Sequence, residues 1–220
     1  MKMKNIIIIG FIVLFIASSV FSQEDKQIQY LFQGNEKITV SGFGGPIVEF
    51  SSINNEFALF VGGGGAVLFN NAFFVGGYGE GLTTGHYRYD LKDELDISAP
   101  KIAFGHGGFW LGYIHQPLNA IHAGISTKVG WGQVSLYDPY FTYDRQDYRA
   151  RDGVFVFIPQ LELELNLFPW FKVNFGAGYR LVSGLNQTYR NPKGGDYIQY
   201  YQNSDFSGFE GSISFLFGWF

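Results

Sequence analysis

The chain contains no cysteine in its 220 residues. Disulfide staples, thiolate chemistry and lipid attachment through a cysteine are therefore excluded. Charge is also scarce, at 15% of residues against about 25% in ordinary soluble domains. The formal net charge is −4, so no basic field draws the chain to nucleic acid, and no nucleic-acid partner is expected. The phosphate-binding glycine loop with its lysine and the G-x-S-x-G elbow are both missing, which removes two common signatures of enzymatic hydrolysis. Beyond the N-terminal region, no apolar run is long enough for a membrane helix. What the chain has instead is 30 glycines and 19% aromatic residues.

The N-terminus reads as an address. A basic start, MKMKN, leads into the apolar run IIIIGFIVLFIA and then SSVFSQ, the order of a secretory signal peptide. Residues 1–22 are expected to form a cleaved signal, with the cut between Ser22 and Gln23, and 23–36 a short polar segment. A transmembrane anchor is the competing reading, but the run falls short of the ~20 residues a spanning helix needs.

From residue 37 to 220 the chain divides into strand-like segments: 37–50, 56–69, 72–83, 101–115, 120–136, 154–167, 171–185 and 206–220. The breaks alternate in length. Residues 70–71, 116–119 and 168–170 are tight turns, whereas 84–100, 137–153 and 186–205 are long and polar. The break at 51–55, SSINN, is short where a long one is expected. Short turns at one end and long loops at the other are the pattern of bacterial outer-membrane barrels. The spacing predicts an all-β fold: an eight-stranded antiparallel up-and-down transmembrane β-barrel, with short periplasmic turns, long external loops and both termini periplasmic.

Residue alternation carries the same message. Leu161, Leu163, Leu165 and Leu167 oppose Gln160, Glu162, Glu164 and Asn166; Phe171, Val173, Phe175, Ala177, Tyr179 and Leu181 oppose Lys172, Asn174 and Arg180. Ile121, Ile125, Val129 and Trp131 oppose His122, Ser126 and Lys128. A soluble lipocalin-like barrel would bury the leucines, whereas a membrane barrel inverts the arrangement. Secretion, loop asymmetry and opposite charges on neighbouring polar faces favour inversion. The predicted internal charge cluster is Glu162, Glu164, Lys172 and Arg180, joined by Glu210.

The last strand, FSGFEGSISFLFGWF, alternates Phe209, Ile213, Phe215, Phe217 and Trp219 with Glu210, Ser212, Ser214 and Gly218. Its aromatic end resembles the C-terminal signal by which outer-membrane proteins are recognised for insertion, so Phe215, Phe217, Trp219 and Phe220 form the expected assembly signal. Phe220 is one step out of phase with the aromatic row, which leaves Trp219 or Phe220 as the recognised residue. The stretches GGPIVEFSSINNEFALFVGGGGAVLFNNAFFVGGYGEG and DFSGFEGSISFLFGWF resemble a group of uncharacterised small outer-membrane β-barrel proteins of Bacteroidetes-type bacteria. That resemblance implies fold and location and supplies no catalytic residues.

Candidate functional residues follow from the loops. Tyr87, Tyr89, Tyr137, Tyr140, Tyr143, Tyr148, Tyr189, Tyr197, Tyr200 and Tyr201 sit there among Asp, Arg and Asn. Tyrosine gives a large amphipathic contact at low entropic cost, which suits recognition of protein or sugar surfaces; the other reading is an interfacial aromatic girdle. Gly42, Gly44, Gly63, Gly65, Gly77 and Gly79 read as a smooth outer face on strands one to three. Either a membrane-protein partner seats there or barrel curvature selects glycine. Expected partners are otherwise outer-membrane lipids and the barrel assembly machinery.

No metal or cofactor is expected. Of the histidines at 86, 106, 115 and 122, His106 and His122 fall about six positions apart across the 116–119 turn, some 20 Å at strand rise. A lipid-headgroup enzyme would need His and Ser clustered at the external end, while His122 and Ser126 lie towards the periplasmic turn. The function expected is therefore non-enzymatic: surface or partner recognition, or envelope scaffold. A lipid-headgroup enzyme, a narrow ligand channel and a soluble binding barrel are the alternatives.

Overall fold

Turn chemistry starts the sheet. Asn54 and Asn55, with φ of 50° and 64°, make a two-residue turn of the kind that matches the right-handed twist of a hairpin. Asn70 and Asn71, at φ 50° and 55°, take the same backbone in the three-residue connection between Phe69 and Phe73. Asparagine tolerates this left-handed backbone better than other residues with a Cβ.

A computed structural model describes residues 38–92, 99–140, 150–185, 188–190, 197–199 and 201–220. The barrel strands are β1 (Val40–Ile53), β2 (Glu56–Phe69), β3 (Phe73–Leu82), β4 (Lys101–Ile114), β5 (Ile121–Tyr137), β6 (Ala150–Phe168), β7 (Phe171–Ser183) and β10 (Gly208–Trp219). Each pairs with its sequence neighbour, and β10 returns to β1, so the antiparallel sheet closes. The closing register sets Gly42 opposite Trp219 and Phe50 opposite Gly211. The signal and polar segments expected over 1–36 lie outside the described residues.

Several boundaries differ from the sequence reading. β6 starts at Ala150 rather than 154, which shortens the middle loop, and β4 and β5 pair with His106 opposite Gly132. That register puts His106 ten positions from His122 rather than six. The third loop is not featureless: β8 (Thr188–Arg190) and β9 (Tyr197–Gln199) form a small hairpin, and α1 (Asn203–Phe206) is a single helical turn.

The outer surface is apolar. Leu161, Leu163, Ile121, Ile125, Val61, Val67, Val75 and Leu111 are exposed, the reverse of a soluble barrel. Aromatic residues gather at both rims of this wall. At the turn end Trp170 stacks near Phe168 and Phe217 (5.6 and 6.2 Å), and Phe73 meets Tyr113 at 4.8 Å. At the loop end Tyr179 meets Phe209 edge-on at 5.0 Å and Trp131 meets Phe155 at 5.9 Å.

The interior is filled in layers. Phe60, Ile102, Phe104, Leu136, Val156, Ile158 and Phe206 pack at the loop end. Phe43, Ile47, Leu68, Phe74, Trp110 and Leu216 pack at the turn end. Glycine makes this possible where β2 meets its neighbours: a Cβ on Gly62 would run into the Gly79 carbonyl oxygen, and one on Gly64 would lie 3.1 Å from the Trp110 ring. On the outer side the register links Gly44 to Gly65 and Gly65 to Gly77. A Cβ on Gly79 would meet nothing within 4 Å, so crowding does not dictate glycine there.

Candidate functional site

Two constellations carry the polar chemistry of the barrel, one inside the wall and one at the loop end. Inside, Lys128 from β5 points to the barrel axis and is 1% exposed. Its Nζ donates to Glu80 and, at 3.3 Å, to Glu49. Arg180 from β7, fully buried, donates to Glu49 at 3.2 Å and lies 4.0 Å from Glu210. Gln160 Nε2 donates to Glu210 at 2.9 Å. An isolated buried charge costs several kcal/mol, and these contacts are what make the layer tolerable.

A second group sits nearer the turns. Lys172 donates to Glu164 at 2.7 Å, and His122 Nε2 lies 2.9 Å from the same carboxylate oxygen. Ser126 donates to Glu162 at 2.5 Å. The five residues expected to form one cluster thus divide between two groups. Arg180 pairs with Glu49 and Glu210, not with Glu162 or Glu164, because the register sets Arg180 opposite Gly208 and Glu162 opposite Gly176. Glu49, Glu80 and Lys128 were not among the predicted members. On β1 and β3 the inward row mixes Phe43, Ile47, Phe74 and Tyr78 with the acids, so polarity does not alternate and the acids' facing is hidden.

The terminal aromatic residues take two directions. Phe215, Phe217 and Trp219 face outward. Phe220 turns in, stacking over Phe43 at 6.2 Å with Lys172 Nζ 4.1 Å from its ring.

At the loop end, Arg180 also fixes local structure. Its Nε donates to the Phe206 carbonyl at 2.9 Å, and its Nη2 donates to Ser51 Oγ at 3.0 Å. The Asn54 N–H donates to the Asp205 carbonyl at 2.7 Å. A capping box between Gln202 and Asp205 shapes α1. The β1–β2 turn and the segment around α1 are thereby held together, and with the segment after β3 they enclose a cleft of about 350 Å³. Asn54, Glu56, Arg88, Asp90, Gln202 and Asp205 line it together with Tyr87 and Tyr201.

The charges in the cleft are ordered. Arg88 grips Asp90 with two hydrogen bonds, Nε to Oδ1 at 2.9 Å and Nη2 to Oδ2 at 2.7 Å. Those bonds hold the Asp90 carboxyl below the usual aspartate range and raise the Arg88 guanidinium. Arg88 also lies 5.1 Å from the Tyr201 ring centre, and burial pushes the Tyr201 hydroxyl up. At the edge, Glu56 Oε2 lies 3.2 Å from His86 Nδ1, and His86 Nε2 lies 2.9 Å from Thr84 Oγ1. Thr84 accepts the Leu59 N–H at 3.2 Å, so this chain of bonds ties the start of β2 to the segment after β3.

Of the predicted loop tyrosines, Tyr87 and Tyr89 stack at 5.6 Å and Tyr201 is buried beside them in the mouth. Tyr137 ends β5, and Tyr140, exposed, has its N–H bonded to Asp138. Tyr189 and Tyr197 belong to the β8–β9 hairpin, and Tyr143, Tyr148 and Tyr200 lie outside the described residues. His86, Glu56, Asn54 and Asp205 come from three separated segments and left no linear signature. Among the described residues no group of three or more His, Asp or Glu is placed to hold a metal ion. His122 and Ser126, weighed as an enzymatic pair, each bond to an interior glutamate.

No protein-family model and no curated protein matches the chain. Among solved structures it is similar to Neisserial surface protein A, at 8% identity and TM-score 0.47, over 83% of this chain and 98% of that one. It is also similar to Ail of Yersinia pestis, solved with the heparin analogue sucrose octasulfate, at 10% identity and TM-score 0.46, over 83% and 99%. A major outer membrane protein from Thermus thermophilus matches at 8% identity and TM-score 0.46, over 81% and 99%. Strand order and register in this chain, not those likenesses, define it as a closed eight-stranded up-and-down β-barrel.

Proposed function

We propose that this chain is a small integral outer-membrane barrel, non-enzymatic, whose loop end recognises a partner or ligand at the cell surface. The inverted wall carries the reading. Leucine and isoleucine face outward between two aromatic rims, while lysine, arginine and glutamate are buried. In water that arrangement would expose the apolar surface and bury the charges, both at a cost; in a bilayer it satisfies both. Barrel strands run from 10 to 19 residues, against the roughly 9–11 a tilted strand needs to cross. Short turns and both ends of the barrel belong in the periplasm on this reading, and the loop end faces out.

The test is fractionation followed by gel electrophoresis. The protein is expected with the outer membrane, migrating faster unheated than boiled because a closed barrel resists detergent. Recovery in the soluble periplasm without a heat-dependent shift would refute the membrane reading. Recognition is tested separately by displaying the barrel on a non-adherent host and measuring cell attachment. Loss of attachment when Tyr87, Tyr89 and Tyr140 are all changed to Ser is expected; a host no stickier than its parent would remove that part.

One observation favours a second reading, an enzyme acting on lipid headgroups. Glu56, His86 and Thr84 stand in the order acid, imidazole, hydroxyl that hydroxyl activation requires. Fatty-acid release from outer-membrane lipid by the purified barrel, abolished by His86→Ala, would establish it. No release retires it.

A further inference from the structure

The cleft between the β1–β2 turn, the segment after β3 and α1 offers a selective set of groups. Glu56 places one oxygen on His86 and Asp205 places one on the Gln202 N–H. Among the described residues, the second oxygen of each has no hydrogen-bond partner and is left for a ligand. Asn54 and Gln202 add amide donors and acceptors, and Tyr87, stacked on Tyr89 but 37% exposed, adds the free part of its ring, whereas the Tyr201 ring is buried under Arg88. The cation among the described lining residues, Arg88, is already engaged by both oxygens of Asp90.

Each ligand class meets this set differently. A phosphate, sulfate or carboxylate faces three carboxylates and one guanidinium that is internally paired, so charge complementarity is wrong. An apolar ligand would strip water from carboxylates and amides without replacing their hydrogen bonds. A basic peptide finds single carboxylate oxygens, because Asp90 is occupied. A polyhydroxylated ring suits this set: hydroxyls donate to Glu56 and Asp205 and exchange bonds with the amides, while a C–H edge of the sugar meets the exposed part of the Tyr87 ring. The volume, about 350 Å³, is at the small end of the roughly 300–1,000 Å³ range of ligand pockets, the size for the end of a sugar chain rather than its length.

We propose that Asn54, Glu56, Tyr87, Gln202 and Asp205 form a binding site for the terminal rings of a neutral saccharide. This rests on the recognition role proposed for the loop end and specifies its ligand class. The full-length protein, purified in detergent from expressing cells, is applied to a printed array of neutral, sialylated and sulfated glycans with oligolysine spots included. Retention on a subset of neutral glycans is expected, with competition by the free sugar. Tyr87→Ala and Glu56→Gln should each weaken that binding by about tenfold, with the unheated gel mobility of the closed barrel unchanged. Retention confined to charged glycans or oligolysine, no retention at all, or neutral binding indifferent to both variants overturns the proposal. The two readings fail separately: if displayed barrels still attach to cells and no neutral glycan is bound, recognition stands and the saccharide site falls.

Discussion

Lys128 shows what a single side chain does in this interior. Its ammonium sits between Glu80 and Glu49 with 1% of the residue exposed. Lys128→Met leaves two carboxylates facing each other without their shared cation, and breaking such a buried pair costs about 3–5 kcal/mol. The expected result is a large fall in urea stability in detergent, part of which returns when Glu80→Gln is added. Equal and additive effects of the two changes would mean the contact carries no coupling. Asp90 gives the opposite case, an exposed ion. Its folded carboxyl is lowered by the Arg88 bonds, so the contribution of the pair is present above the ordinary aspartate range. It is lost as pH falls through the folded value, below that range. Side-chain NMR of Arg88 should show the Nε–H released only in that acid window, with barrel amide signals unchanged. Release already at the ordinary aspartate range would contradict the lowered carboxyl.

Among elements, β10 has the most demanding position, since it pairs with both β7 and β1 and so closes the sheet. Its last residues hold the seam from two sides: Trp219 lies opposite Gly42 on the outside, and Phe220 packs on Phe43 within. Removing both residues deletes a rim contact and an interior contact at once, and in a bilayer an open seam leaves backbone groups unpaired. Surface levels of the truncated protein should fall more than those of any single loop-tyrosine variant. Normal assembly without Trp219 and Phe220 would show that the seam closes on backbone pairing alone.

At the scale of the whole molecule, apolar clusters at both ends enclose a layer of ions. An eight-stranded barrel is just wide enough to be filled by its own side chains. Purified wild-type protein in planar bilayers should therefore give no steady conductance. A stable open level would make the narrow-channel alternative the better account and would require the Lys128 and Arg180 contacts to rearrange.

Hydrophobic patterning, turn residues and the alternation of loop lengths were enough to specify an eight-stranded barrel with an inverted wall, because facing in a strand has a period of two. Leu161 and Leu163 against Glu162 and Glu164 can be read one strand at a time. The partner of Arg180 cannot. Its distance to Glu49 depends on the closure of β10 against β1 and on the register of each pairing, and residues 131 positions apart in sequence carry no local mark of that meeting. The same holds for the cleft, where Asn54, Arg88 and Asp205 are gathered because three connections share one rim. Local sequence set the period of each strand, whereas only closure of the barrel decided which charges would meet.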